Sequence, residues 1–184
     1  MLPGTQKMKL NKSPGIDGLP VEFYLCFWKD IAAYVCDSFN EGFVHGSLSD
    51  SQNMAVLSLI FKKNNRCLLK NYRPISLTTC DYKILAFTLA DRLHKVIDKI
   101  ISKDQSGYIK TRFIGQNIRL VEDIIEYIEE KEKQGIILFI DFEKAFDFLE
   151  WQFMLKSLKN YNFGNQFIQW ISTIYSNPTV AYKK

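Results

Sequence analysis

The stretch from Ile136 to Trp151, IILFIDFEKAFDFLEW, has residue types and a spacing that could carry chemistry. Ile136 to Ile140 form a continuous apolar run, which predicts a short strand buried on both faces. Asp141 follows directly. A carboxylate at the end of a buried strand is costly unless it is hydrogen-bonded, paired or bound to a cation. On residue types alone, Asp141 either ends the strand, caps a helix beginning near Asp147, or binds a cation.

This stretch resembles the A motif of reverse transcriptases, specifically of non-LTR (LINE-type) retrotransposons. That motif has a strand, an Asp, three residues, Ala, an aromatic, Asp, and a Trp just beyond. The matching residues are Asp141, Ala145, Phe146, Asp147 and Trp151. The resemblance implies that Asp141 is catalytic and binds both Mg²⁺ ions of a two-metal site. It further implies that the carbonyl of Phe142 helps to hold one ion, and that Phe146 packs under the deoxyribose and excludes a 2′-hydroxyl.

A second group of candidate residues surrounds a predicted hairpin. One strand is expected from Met54 to Lys63 and another from Tyr72, joined by a polar loop, which brings Lys62, Lys63 and Arg73 near one another. An edge hairpin blunted by charges is the structural alternative. The sequence LIFKKNNRCLLKNYRPISL resembles the fingers hairpin of the same enzymes. That resemblance implies that Arg73 and one of the two lysines grip the triphosphate of the incoming deoxynucleotide. The choice between Lys62 and Lys63 stays open.

Three further segments resemble this family in the expected order: KSPGIDGLPVEFY, DYKILAFTLADRLHKVIDKII and DQSGYIKTR. The last implies that Tyr108, Lys110 and Arg112 contact nucleic acid, because an aromatic ring with two cations suits a base and its phosphates.

Hydrophobic spacing predicts most of the remaining elements. A last strand is expected to begin at Val180 to Tyr182. Helices are expected from Pro20 to Gly42–Gly46, from Asp81 to Ser102, from Asn117 to Gln134, from Trp151 to Asn162–Gly164, and around Phe167 to Tyr175.

The charge distribution favours a polyanionic partner. The net charge of the 184 residues is only +4. Residues 62–112, however, hold twelve Lys and Arg against four Asp, a balance of +8, while residues 119–184 hold eight basic and ten acidic residues, a balance of −2. A solvated helix face is the alternative. An excess this local instead indicates nucleic acid, with RNA template, DNA primer and deoxynucleotides as the partners that the resemblance implies.

Composition excludes other classes of protein. The chain is 47% hydrophobic and 24% charged, which indicates a globular protein and not a disordered one. Its apolar runs are too short to span a bilayer, and its first residues do not have the pattern of a signal peptide, so we expect none. The four cysteines have no CxxC spacing, so no zinc site is expected. Reduced cysteines predict an intracellular protein, in the nucleus or the cytoplasm.

We therefore expect an α+β fold comprising the fingers and part of the palm of a right-hand polymerase. Residues 1–184 form one partial domain, fingers-like over about 12–112 and palm from about 113. The family also has an Asp-Asp pair in a later hairpin, and no Asp-Asp pair occurs in this sequence. We expect half of an active site, weak Mg²⁺ binding and no polymerisation by these residues alone. The given residues contain no endonuclease domain, and whether one lies upstream stays open.

Two other functions remain open. A truncated or domesticated remnant would bind nucleic acid at most, in agreement with the missing Asp-Asp pair. A phosphatase would use Asp141 as a nucleophile at a strand end. That class is disfavoured because Glu143 stands where its second Asp is expected.

Overall fold

A computed structural model describes residues 8–182 of the chain, which combine helices with one small sheet. The predicted α+β class is confirmed. The strands are β1 (Met54–Phe61), β2 (Tyr72–Thr78) and β3 (Thr179–Tyr182), and Leu69–Asn71 form a 3₁₀ turn. The helices are α1 (Val21–His45), α2 (Asp50–Asn53), α3 (Cys80–Ile100), α4 (Gly115–Glu130), α5 (Trp151–Asn160) and α6 (Asn165–Ile174).

The sheet has the strand order β2-β1-β3. β1 and β2 are antiparallel, with Ile60 opposite Arg73 and Val56 opposite Leu77, so the predicted hairpin is confirmed. β3 adds in parallel on the other side of β1, with Ala181 opposite Val56. Side chains along a strand alternate between the two faces, so these five residues lie on one face of the sheet. We call it the Arg73 face.

Helix α1 forms where its apolar spacing predicts it. Tyr24, Trp28 and Phe39 are buried along one side. The helix ends at His45 because Gly46 takes a φ of +72°, a conformation that glycine adopts without a Cβ penalty.

The hydrophobic core brings α1, α3 and α6 together. Ile84 of α3 is fully buried, and Leu85, Leu89 and Ile174 pack in the same cluster as Trp28. Burial of such side chains contributes about 1.5–3 kcal/mol each to the stability of the fold.

The chain divides into two compact units. The first contains the sheet and the core and comprises residues 8–92 and 154–182 of the described chain, while the second is Leu93–Phe153. The boundaries between the two units fall within α3 and α5. The predicted boundary near residue 112, between a fingers-like part and the start of the palm, stays a prediction.

The strand predicted over Ile136–Ile140 is not formed. These side chains are exposed, from 43% at Ile137 to 97% at Ile136. A strand gains its backbone hydrogen bonds from neighbouring strands, and no strand within residues 8–182 pairs with this run. In the same unit, the helix predicted over Asn117–Gln134 is confirmed as α4, but none of the residues of α4 is buried.

No helix within residues 8–182 is both long enough and apolar enough to cross a lipid bilayer.

Candidate functional site

The hairpin distinguishes the two candidate lysines. The amide of Lys62 donates to the carbonyl of Asn71 at 2.8 Å, so the β1–β2 ladder extends one residue beyond Phe61. Alternation then assigns Lys62 to the same face as Ile60, whose partner is Arg73. Lys63 lies beyond this last ladder bond, in a bend. Lys62, not Lys63, therefore shares a face with Arg73.

The connecting loop fixes these positions through asparagine side chains. The buried Asn71 donates from Nδ2 to the carbonyl of Asn65 at 2.7 Å. Asn65 Oδ1 in turn accepts from the amide of Cys67 at 2.8 Å, as in an Asx turn. The hydroxyl of Tyr72 donates to the carbonyl of Arg66 at 3.0 Å. A loop held by local bonds presents its cations in a defined arrangement.

The opposite face of the hairpin carries different chemistry. The rings of Phe61 and Tyr72 are 5.5 Å apart, and the guanidinium of Arg66 lies 4.9 Å from the centre of the Phe61 ring. Through this cation–π contact, Arg66 stabilises the hairpin. On the Arg73 face, Lys62 and Arg73 are exposed and accessible to an anion.

The Asp141 stretch forms a turn. The amides of Asp147 and Phe148 both donate to the carbonyl of Lys144, at 2.8 and 3.2 Å, and Lys144 has a φ of +50°. The next helix begins only at Trp151, so a helix starting near Asp147, which Asp141 would cap, is not formed. Asp141 is exposed.

Two aromatic candidates that are far apart in sequence are in contact. The rings of Tyr108 and Phe146 are 5.6 Å apart and nearly perpendicular, at 86°. Both are exposed, 85% and 75% respectively. Tyr108 has a φ of +62°, a conformation that costs an ordinary residue about 1–3 kcal/mol and is found at binding sites.

Arg112 makes an extensive set of contacts within its own unit. Its guanidinium donates to Asp98 Oδ1 at 2.9 Å, to the carbonyls of Asp98, Ile101 and Gln105 at 3.1, 3.0 and 2.7 Å, and to the carbonyl of Ser102. The side chain is only 11% exposed. It satisfies the C-terminal carbonyls of α3, where a cation also interacts favourably with the helix dipole. Lys110, by contrast, is exposed.

The residues predicted to hold Mg²⁺ are too few for that ion. Asp141 supplies one carboxylate and Phe142 one carbonyl, whereas Mg²⁺ requires near-octahedral oxygen coordination. Across residues 8–182, no three His, Cys, Asp or Glu side chains come together in a group that could hold a metal ion. The described donor set therefore does not fit a two-metal site.

Perturbed titratable groups occur in the core of the first unit. Burial raises the pKa of the Cys80 thiol and also that of the Tyr82 hydroxyl. Because Cys80 is buried and its thiolate disfavoured, it is a core residue and not a nucleophile. All four cysteines are free thiols.

Sequence reasoning missed the structural roles of Arg66 and Arg112. Each arginine contacts residues that turns bring close to it, so hydrophobic periodicity does not predict its role. The one weak signal in the sequence is that each cation follows the end of a strand or a helix.

Comparison with known proteins identifies the family. The family described as reverse transcriptase (RNA-dependent DNA polymerase) matches residues 60–184. The Transposon TX1 uncharacterized 149 kDa protein of Xenopus laevis is 38% identical over 176 residues, which cover 96% of this chain and 14% of that protein. The Retrovirus-related Pol polyprotein from type-1 retrotransposable element R1 of Bradysia coprophila is 29% identical over 170 residues, or 91% of this chain and 17% of that one.

The chain thus spans less than a fifth of the length of these curated relatives. The matched residues include every candidate from Lys62 to Phe146, in the order that the motifs predict. The chain belongs to the reverse transcriptase family, among the proteins of non-LTR retrotransposons.

Proposed function

We propose that this chain forms the fingers and the first part of the palm of an RNA-directed DNA polymerase, which copies retrotransposon RNA into DNA by two-metal nucleotidyl transfer. Its partners are an RNA template, a DNA primer and deoxynucleotides. One observation carries the proposal: within the region matched to the family, Lys62 and Arg73 lie on one face of an ordered hairpin.

The two cations are suited to a triphosphate. Arg73 offers a planar fork of donors that binds two phosphate oxygens at once, and Lys62 offers a compact charge on a flexible stem. Directly opposed residues and their diagonal neighbours on one face lie within about 8 Å of each other, within reach of these long side chains. We assign triphosphate binding to Arg73 and Lys62, with Lys63 as a secondary charge.

The Asp141 stretch provides the remaining catalytic roles. Reverse transcriptases use divalent metal ions, and we propose Mg²⁺, with Asp141 as the catalytic carboxylate and the Phe142 carbonyl as an additional oxygen. Further carboxylates are needed to complete such a site. Phe146 is proposed to select deoxyribose by occupying the space of a 2′-hydroxyl, with Tyr108 supporting its ring.

Nucleic-acid contact is proposed for Tyr108 and Lys110, both exposed on the segment that Arg112 holds in place. The contribution of Arg112 is then chiefly to position that segment. The free thiols agree with an intracellular location.

A nucleotide-binding measurement tests the proposal directly. Binding of a fluorescent deoxynucleoside triphosphate to the 184-residue protein is followed by anisotropy, for the wild type and for Arg73→Gln, Lys62→Gln and Lys63→Gln. Loss of a charge-assisted contact is worth about 1.5–3 kcal/mol, so Arg73→Gln should weaken binding about tenfold or more. Lys62→Gln should weaken it several-fold and Lys63→Gln least. Equal affinities of all four proteins would refute the assignment.

The alternative function, nucleic-acid binding without catalysis, predicts the same result in a primer-extension assay of residues 1–184, and it differs from the proposal only in a polymerase that contains this segment. We expect no extension by residues 1–184 alone, because Asp141 cannot hold a metal pair unaided. Extension by the wild type and not by Asp141→Ala would contradict this expectation.

In a polymerase that contains this segment, Phe146→Val should increase ribonucleotide incorporation, whereas unchanged sugar discrimination would leave Phe146 without its proposed role.

A further inference from the structure

Ser13 is the one hydroxyl residue in the sequence that a proline follows directly. Prolines stand at positions 3, 14, 20, 74 and 178, and the residues before them are Leu, Ser, Leu, Arg and Asn. Proline fixes its own φ and restricts the preceding residue to extended backbone. Protein kinases take their acceptor residues in an extended form, and one class of these enzymes requires a proline directly after the acceptor. The sequence thus offers such a kinase a single site.

The structure presents this hydroxyl on an accessible segment. Ser13 is exposed, and residues 12–15 belong to no helix, strand or turn. Before it, the amide of Asn11 donates to Glu22 Oε1 of α1 at 2.6 Å. After it, the amide of Gly18 donates to the carbonyl of Gly15 at 3.2 Å. The segment is held at both ends, yet another enzyme can reach Ser13 without the loss of a helix or a strand.

Three lysines share a groove with Ser13. The groove has a volume of about 510 Å³, and Lys9, Lys12 and Lys83 line it together with Ser13. The other described residues of its wall are apolar, and none is acidic. Lys83 belongs to α3, far from Ser13 in the sequence, so the fold brings this cation to the segment.

The carboxylates of the neighbouring sequence have hydrogen-bond partners of their own. Asp17 Oδ1 accepts from the amide of Leu19 at 3.2 Å, and Glu22 accepts from the amide of Asn11. The groove itself therefore presents positive charge beside an exposed hydroxyl, an arrangement that suits a phosphate attached to that hydroxyl.

We propose that Ser13 is a phosphorylation site for a proline-directed protein kinase and that this groove holds the phosphate. In the transfer, Ser13 Oγ forms a bond to the γ-phosphorus of ATP, and the bond from that phosphorus to the β,γ-bridging oxygen breaks. ADP leaves, and the hydroxyl proton passes to the base of the kinase. The proposal goes beyond the polymerase function and uses neither Lys62 nor Arg73.

The phosphate changes both the charge and the order of this region. It brings a charge of about −1.5 to −2 and three strong acceptor oxygens, which form charge-assisted hydrogen bonds with lysines. Contact with Lys83 connects residues 9–13 to α3. Phosphorylation therefore lowers the charge of the groove by about two units and orders the segment against the helix.

Phosphorylation of the purified protein tests the acceptor. The 184-residue protein is incubated with ATP and a mitogen-activated protein kinase, and the modified residues are mapped by mass spectrometry. We expect phosphate on Ser13, its loss in Ser13→Ala and its retention in Ser13→Thr. Ser51 is an internal control, because it is exposed but is followed by Gln52. No phosphate on Ser13, or equal labelling of Ser51, would overturn the proposal. The wild-type map decides even if a variant does not fold.

The contact between the phosphate and the groove is measured on the chain phosphorylated at Ser13. Phosphorus NMR follows the second ionisation of the phosphate, whose pKa is about 6 in a flexible peptide. Nearby cations favour the dianion, so we expect a pKa in the folded chain that is lower by about 0.5 or more than in a phosphopeptide of residues 9–17. The peptide contains Lys9 and Lys12 but not Lys83, so the difference reports what the fold adds.

Matched variants assign that difference to Lys83. Lys83→Gln should return the pKa of the phosphate toward its value in the peptide. Lys29→Gln, which removes an exposed charge of α1 outside the groove, should leave the pKa unchanged. The same pKa in the folded chain and the peptide, or equal effects of the two variants, would overturn the phosphate site. If Lys83→Gln does not fold, the comparison of the wild type with the peptide decides. None of these outcomes depends on nucleotide binding, so their failure leaves the assignment of Lys62 and Arg73 intact.

Discussion

The β1–β2 hairpin and the Asp141 stretch carry motifs of the same family, yet they differ in how completely they are folded. In the hairpin, strand pairing and the Asn65 and Asn71 side chains hold the backbone from Phe61 to Tyr72. In the stretch, Phe139 and Ile140 are 80% and 70% exposed and outside any strand. A motif can therefore identify chemistry in both regions, while its geometry forms only where its structural partners are available.

The physical difference is the source of the hydrogen bonds. Phe61 and Tyr72 are separated by a short loop, so closing the hairpin costs little chain entropy and gives a full ladder. The run Ile136–Ile140 has high apolarity but no paired strand within residues 8–182. The turn in the Asp141 stretch lies further along the chain, where the amides of Asp147 and Phe148 donate to the carbonyl of Lys144.

The largest expected contrast between these regions is in hydrogen exchange. Amides in the β1–β2 ladder, with Ile60 and Lys62 as reporters, should be protected by about a hundredfold or more, while those of residues 137–142 should be protected less than about tenfold. Exchange followed by mass spectrometry or NMR measures both in one sample. Amides within α4 provide the control, because they belong to the same unit as Asp141 but are hydrogen-bonded in a helix. Comparable protection of the hairpin and the Asp141 stretch would contradict the contrast.

The next effect concerns the loop at Gly15, which packs against the backbone at the end of β2. Gly15→Val should lower the free energy of unfolding by about 3 kcal/mol, because the new side chain meets the backbone of Thr78 and Thr79, which cannot move aside cheaply. Thermal or urea denaturation measures the change. Gly164→Ser is the control, since nothing lies within 4 Å of a Cβ at that position. Equal stability of the two variants would show that the loop does not pack on β2 as described.

The smallest of the three effects concerns the unit that contains Asp141. Arg112→Met should destabilise the segment around Asp98–Asn117 by about 2 kcal/mol, because it leaves several carbonyls and the Asp98 carboxylate without their donor. Exchange rates of amides in this segment should rise, and those of the hairpin should not. Lys110→Met, which removes an exposed charge nearby, should leave both sets of amides unchanged. A similar response to both variants would refute the positioning role of Arg112.

Much of the fold follows from sequence periodicity. The helices at Val21–His45 and Cys80–Ile100 and the hairpin form where apolar spacing and turn residues predict them. The exposed isoleucines of the predicted Ile136–Ile140 strand show the limit of the method. Periodicity reports what a segment would bury, but not whether another segment lies against it.

The sequence by itself determined the family, the order of the motifs and the residue types that could bind nucleotide and nucleic acid. Only the tertiary structure decided that Lys62 and not Lys63 shares a face with Arg73, that the Arg112 guanidinium is occupied by carbonyls, and that Gly15 packs against the backbone at the end of β2. The reason is that strand register and loop packing depend on contacts between residues far apart in the chain. A shift of one residue in register would have placed the other lysine on the Arg73 face.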